Sequence, residues 1–309
     1  MTADSNVIIE AHELSKWFGE VVAVNNLHVQ IKRGVTGLLG PNGAGKSTFI
    51  KLCLGLLRPS RGHIHVLGSS PRHNPAVLRE MGYCPELDHF FDNMTGYEFV
   101  YALNRYWGMT KQDAEKFTEK ACELVSMTDR MDDPIEEYSK GMRQRIKIAQ
   151  ALATNPDLLF LDEPMSGLDP QGREEMYTLI RRLGDAGYGV VVSSHILYEV
   201  ERVTDNVVLL YNGTVLAHGR VKEIRDLIDE HPHTIKINTP EPRALAKAFV
   251  GDTAVMQLDF LPGGLVVRTK DPNACYQILN DVMLERRHPI HGVQCSDDNL
   301  QSVFEYLVG

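Results

Sequence analysis

Nine consecutive residues, Gly40, Pro41, Asn42, Gly43, Ala44, Gly45, Lys46, Ser47 and Thr48, combine three glycines, a lysine and two hydroxyls. Glycines let successive backbone N–H groups turn inward around an oxyanion. The apolar segment that follows, TFIKLCLGLL, reads as a helix whose positive end faces the same anion. The run before it, VTGLL, reads as a buried strand, the context that a phosphate-binding loop of the form GxxxxGK[ST] requires. Lys46 is placed to reach the terminal phosphates, and Ser47 to put its hydroxyl on Mg²⁺. A second chemical signal is the acidic pair Asp162-Glu163, which ends the apolar run Leu158 to Leu161. Carboxylates at the carboxyl end of a strand lie on the edge where α/β sheets bind ligands. Asp162 is expected to hold Mg²⁺ through water, and Glu163 to aim at a water attacking the γ-phosphate.

The elements that must position these residues alternate. Residues 8–39 read as strands with a turn near Gly19. Residues from about 85 to 138 read as helical. Thr95 caps one helix that runs through Trp107. Thr110 caps another, with Ala114, Phe117, Ala121, Leu124 and Val125 on one face. Ser139 opens a third helix that stops at Asn155-Pro156. A helix from about Gln171 to Leu183 follows the acidic strand. Then come the strand GVVVSS into His195 and a hairpin turning at Asn212-Gly213. Strands alternating with helices predict an α/β fold, a largely parallel sheet with helices on both faces. After VKEIRDLIDEHPH the order becomes β-α-β-β-α-β with a terminal helix, a split βαβ, ferredoxin-like pattern.

Between the two nucleotide signals stands Tyr138-Ser139-Lys140-Gly141-Met142-Arg143-Gln144-Arg145. Ser139 is able to N-cap its helix and Gly141 permits close backbone approach, so the pair forms a second anion site. The segment resembles the signature of ABC-transporter ATPase subunits, LSGGQ followed by QR. Ser166-Gly167-Leu168-Asp169 looks like that family's D-loop, and Ser194-His195 like its switch histidine. Gly82-Tyr83-Cys84-Pro85-Glu86 occupies the Q-loop position, and Leu14 to Gly19 matches the segment whose aromatic, here Phe18, stacks on adenine. Six motifs stand in family order across about residues 8–222.

The resemblance implies a P-loop NTPase of ABC type, with a mixed sheet and a helical subdomain at about residues 86–138 of an ATPase domain spanning 7–222. A linker at 223–233 and a small α+β accessory domain at 234–309 follow. It implies ATP and Mg²⁺ as cofactors, with Ser47, Glu86 and Asp162 at the metal, and Lys46, Glu163 and His195 in catalysis. It also implies that Ser139, Gly141 and Asp169 act in trans on ATP held by a second ATPase subunit, in a homodimer. Lys140, Met142 and Arg143 depart from the signature, and Glu86 stands where the family has glutamine. Pro-Glu in place of Pro-Gln, and the run Asp298 to Phe304, resemble the ABC-2 exporter branch.

Composition narrows the partners. The 309 residues carry 32 Lys+Arg against 41 Asp+Glu, a net charge of −9, so no nucleic-acid partner is expected. The longest apolar run, about Val207 to Tyr211, is far below the roughly 20 residues of a membrane helix. The permease is therefore expected on a separate chain, with this subunit at the cytoplasmic face of the membrane. The opening residues carry Asp4 and Glu10 without a basic-then-apolar pattern, so no secretory leader is expected. Five scattered cysteines lack framework spacing and read as reduced thiols. Trp17 is expected to pack rather than touch a ligand. The competing class is an ABC-type ATPase without a permease, acting on ribosomes or DNA. Such proteins usually carry two cassettes or a long coiled coil, and this chain has one phosphate loop and no long heptad segment.

Overall fold

The computed structural model of the chain describes residues 6–221, 233–284 and 288–295. The chain divides into two compact units, Met1–Arg220 and Val221–Gly309.

In the first unit, β1 (Val7–Phe18) and β2 (Val21–Lys32) pair antiparallel across the turn at Gly19 and Glu20. With β4 (Arg61–Val66) they form a three-stranded sheet in the order β2-β1-β4. A six-stranded sheet holds β5 (Met81–Cys84), β6 (Leu158–Leu161), β7 (Gly189–Ser194), β3 (Val35–Leu39), β8 (Asn206–Tyr211) and β9 (Thr214–Arg220) in that spatial order. Its first five strands are parallel, and β9 returns antiparallel from β8.

The largely parallel sheet predicted above is the six-stranded one, and β1, β2 and β4 make a second, antiparallel sheet. A two-residue turn joins strands only antiparallel, so β1 and β2 leave the parallel set. Their patterns agree: β1 exposes Glu10 and His12 on one face, whereas β6 and β7 are buried throughout. The strands β4 and β5 and the helix α2 (Pro75–Arg79) escaped the sequence reading. Each spans six residues or fewer, too short for a period to show.

Helices α1 (Lys46–Cys53), α6 (Pro170–Asp185) and α7 (Leu197–Glu201) flank the sheets. Helices α3 (Gly96–Tyr106), α4 (Lys111–Leu124) and α5 (Lys140–Leu152) pack into one apolar cluster through Phe99, Val100, Ala121, Cys122 and Ile146. Thr95 closes a capping box with Glu98, and Thr110 accepts from the Asp113 amide, as their spacing predicts. The helical stretch begins at Gly96 rather than near Pro85. The buried face of α4 is Ala114, Thr118, Ala121 and Cys122, with Phe117 only half-buried. Thr118 is drawn inward because its hydroxyl accepts from buried Asn104 of α3 at 3.0 Å. Cys53, Cys84, Cys122 and Cys275 are free and buried.

The second unit contains β10 (His233–Asn238), α8 (Pro242–Ala246), β11 (Val255–Leu261), β12 (Gly264–Thr269), α9 (Pro272–Leu284) and β13 (Gly292–Cys295). Its four strands lie antiparallel in the order β11-β12-β10-β13, so β12 separates the two strands joined through α8. Ile235, Ile237, Leu265 and Val267 face Leu245, Phe249 and Leu279 in the core. The terminal helix read at Asp298 onward, and the segment 222–232 before β10, lie outside the described residues.

Candidate functional site

The strand β3, buried on both faces, delivers Gly40 to the edge of the six-stranded sheet, where its amide donates to the Ser194 carbonyl of β7. Gly45 then takes a left-handed conformation, φ 104°, to start α1. A Cβ there would sit 2.5 Å from the Ala23 carbonyl oxygen, so close approach to β2 and positive φ both demand glycine. No side chain caps α1, which leaves its first amides turned toward the loop.

Lys46 is 6% exposed. Its ammonium donates to the carbonyls of Gly40 at 2.7 Å and Pro41 at 3.3 Å. It also lies 3.1 Å from Glu163 Oε1 as an ion pair, outside hydrogen-bond geometry. Glu163 follows β6 in a left-handed conformation, φ 49°, which costs a non-glycine residue about 1–3 kcal/mol. That turn swings its carboxylate back over the phosphate loop. The other oxygen, Oε2, lies 3.0 Å from His195 Nδ1. Lys46, Glu163 and His195 thus form one continuous line, brought from three places in the chain.

Two adjacent serines of β7 support this line. Ser193 Oγ donates to Asp162 Oδ1 at 2.7 Å and accepts from the Glu163 amide at 2.8 Å, fixing both acids. Ser194 Oγ donates to Glu199 of α7 at 2.6 Å and accepts from the Ile196 amide, holding the turn that carries His195. Asp162 is 2% exposed. It sits behind the cleft rather than on its wall, next to Tyr83, whose phenol is held protonated by burial first and by the Asp162 charge second.

A cleft of about 510 Å³ is bounded by the phosphate loop from Pro41 through Thr48, by Glu86 and Glu163, and by Phe18, Val21 and Val22. These three apolar side chains are 47%, 66% and 48% exposed, a shelf beside the loop of the kind a base stacks on. Lys16 lies 5.0 Å from the centre of the Phe18 ring. Trp17, expected to pack, is 46% exposed and does not border the cleft, because alternation along β1 turns it away from Phe18.

A second cavity, about 590 Å³, lies elsewhere in the same unit. Ser139, Gly141 and Asp169 border it, together with Lys140, Gly167 and Arg145. Ser139 N-caps α5 through the Met142 amide at 3.3 Å, and Asp169 N-caps α6 through the Gly172 amide at 2.7 Å. Lys140 lies across Gly167, where a Cβ would stand 1.7 Å from its ammonium nitrogen. The signature segment and the D-loop segment therefore face one opening, and none of the phosphate-loop residues borders it.

Sequence reasoning overlooked Ser193, Glu199 and Lys147. Lys147 of α5 is 3% exposed, and its ammonium donates to the carbonyls of Pro85 and Glu86, each at 3.0 Å. The signal was a lysine set between Ile146 and Ile148 in an otherwise apolar run, where a charge must find buried partners.

Residues 24–166 match the ABC transporter family. Over 309 aligned positions the chain is 31% identical to the daunorubicin/doxorubicin resistance ATP-binding protein DrrA of Streptomyces peucetius, covering 97% of this chain and 92% of that one. It is 29% identical over 305 positions to the bacitracin transport ATP-binding protein BcrA of Enterococcus faecalis, covering 98% and 96%. Both alignments run past residue 220, so the second unit belongs to the shared chain plan. Among solved structures, an ATP-binding subunit of an ABC transporter superposes with a TM-score of 0.62 at 29% identity, covering 71% of this chain and 92% of that one. CbiO1 of Clostridium perfringens, part of the cbiONQ transporter complex, gives 0.65 at 26% identity, covering 73% and 94%. The chain belongs to the ABC transporter family, as an ATP-binding protein whose ATPase activity serves transport.

Proposed function

We propose that this chain is the ATP-hydrolysing subunit of an exporter, working as a pair of identical subunits on a separate membrane permease. The observation that carries the reading is the separation of two half-sites on one chain. One is a phosphate loop with its acid and histidine in contact. The other is a serine-led helix tip that shares its cavity with the D-loop and with none of that machinery. A helix tip of this kind suits an anion, and the only way to supply its anion from the first half-site is a second copy. The names of the similar proteins, a drug-resistance and a bacitracin-transport ATP-binding protein, support export as the direction. Among the described residues no helix is long and apolar enough to cross a membrane.

The chemistry follows from the geometry. Before nucleotide arrives, the Lys46 ammonium is held by two loop carbonyls and by Glu163. Phosphate oxygens, carrying more charge than a carbonyl, compete for the same ammonium. As Lys46 turns to them, Glu163 Oε1 is released to accept a proton from a water aligned with the γ-phosphate. His195 Nδ1 keeps Oε2 oriented at 3.0 Å, which leaves its other ring nitrogen to donate toward the transferred group. Ser193 holds the Asp162–Glu163 backbone still, so the acid needs little reorganisation. Phe18, Val21 and Val22 offer the base an apolar shelf.

Mg²⁺ fits the residues present. Ser47, Glu86 and Asp162 offer only oxygen donors, as a hard cation requires. Among the described residues no three His, Cys, Asp or Glu side chains converge on a metal. Nucleotide phosphates and water would supply the remaining ligands, as is usual for Mg²⁺. Bound there, Mg²⁺ would neutralise charge that builds on the phosphate oxygens. Closure of two subunits over two nucleotides, and reopening after hydrolysis, supplies the differential affinity that shifts a permease between states.

Replacing Glu163 by Gln tests the reading. Turnover should fall at least about tenfold while ATP binding persists, and a two-subunit species should accumulate with ATP on size exclusion. Wild-type turnover in that variant rejects the role given to Glu163. A nucleotide-loaded form that stays single-chain rejects the paired site.

A further inference from the structure

The sequence of α5 is apolar from Ile146 to Leu152 except at Lys147 and Gln150. Lys147 does not escape to solvent. Its ammonium is enclosed by the carbonyls of Pro85 and Glu86, each at 3.0 Å, and by Asp88 Oδ1 at 2.8 Å. Two of the ammonium's three donors thus go to carbonyls, and the Asp88 carboxylate pairs with its charge, all on one short segment after β5. One turn earlier on the same face, buried Gln144 donates to Cys84 Sγ at 3.6 Å. Two side chains of the helix that begins at Ser139 thus grip the exit of β5. That exit carries Glu86, whose side chain is exposed on the wall of the nucleotide cleft.

We propose that Lys147 is a positioning residue of the ATPase: it fixes the backbone of residues 85–88 to the signature helix, and so holds Glu86 where it serves the nucleotide's metal. The inference rests on the reading above that Glu86 contributes at Mg²⁺. Removing the ammonium leaves two carbonyls and one carboxylate without their shared cation, and the segment is then free to move away from the cleft. The phosphate loop, anchored by its own contacts to β2 and β7, is untouched. Metal affinity should therefore fall where metal-free nucleotide affinity does not, a split that general destabilisation does not produce.

The test uses the full chain with ATP and reads Mn²⁺ binding by electron paramagnetic resonance, beside ATP affinity in EDTA. Lys147→Met should weaken Mn²⁺ binding to the chain–ATP complex about tenfold, as loss of a supporting contact around a metal site does. Its ATP affinity in EDTA should stay within about twofold, as expected for sites that share no partner. In a Glu86→Ala background the effect of Lys147→Met on Mn²⁺ should vanish. Unchanged Mn²⁺ affinity in Lys147→Met overturns the proposal, as does a full effect that persists without the Glu86 carboxylate. Unchanged Mn²⁺ affinity in Glu86→Ala alone overturns instead the role given to Glu86. Should Lys147→Met fail to fold, Asp88→Asn decides. It removes only the partly exposed partner and should weaken Mn²⁺ about threefold, and no change there also overturns the proposal.

Discussion

The two half-sites of this chain handle charge in opposite ways. Around the phosphate loop, Lys46, Asp162 and Glu163 are buried and each finds a partner within the chain: Lys46 with Glu163, Glu163 also with His195, Asp162 with Ser193. Around the signature helix, Ser139, Lys140 and Asp169 are exposed, and the carboxylate and hydroxyl serve only as caps of their own helices. The first region is preorganised because desolvated charges tolerate no slack. The second is left open, and a surface whose cap residues already satisfy their helices loses little by waiting for a partner. If two copies close and reopen on nucleotide as proposed, one rigid face and one accessible face suit that cycle.

Four substitutions press on that contrast. The largest effect belongs to Lys46→Ala, which removes the one buried cation of the loop and leaves Glu163 Oε1 without its partner. The ratio kcat/KM for ATP should drop by about a thousandfold or more, measured by steady-state phosphate release. Next is Gly141→Asp, which sets a carboxylate at the helix tip. Turnover should fall about a hundredfold, while ATP affinity of the isolated single chain, read by fluorescent nucleotide, stays unchanged. Loss of that affinity as well would erase the contrast between the two faces.

His195→Ala comes third. It frees Glu163 Oε2 from its 3.0 Å partner but leaves Lys46 in place, so kcat should fall about tenfold with little change in KM. The smallest effect lies beside the open face. The Tyr138 hydroxyl donates to the Arg130 carbonyl at 2.6 Å, and its pKa is pushed up to about 12, by burial first. The folded state thus holds a proton that the unfolded state releases near pH 10, so this contribution is complete below pH 10 and declines as pH rises toward 12. Tyr138→Phe should cost about 1 kcal/mol at pH 8 and flatten the alkaline loss, both read from urea unfolding between pH 8 and 11.

The phosphate loop was legible because its function is written in contiguous backbone. Glycines at 40, 43 and 45 dictate a turn, and the turn dictates the anion cradle without reference to anything distant. The caps at Thr95, Thr110 and Ser139 were legible for the same reason, since a cap and its amide stand three residues apart. What stayed hidden joins residues far apart in the chain. Ser193 meets Asp162 across 31 positions and Lys147 meets Pro85 across 62, and no local pattern encodes such a meeting. The short elements β4, α2 and β5 were hidden for a different reason, that too few residues were present to display a period.

The sequence by itself therefore determined which residues can do chemistry, the order of the nucleotide motifs and the helix starts, because each rests on spacing within one turn or one loop. Only the tertiary structure decided that β1, β2 and β4 leave the parallel sheet. It alone decided that Lys46, Glu163 and His195 touch, and that a lysine in an apolar helix reaches the segment bordering the nucleotide cleft. Those outcomes depend on which buried charges find partners once the strands are stacked, and a one-dimensional pattern does not carry that information.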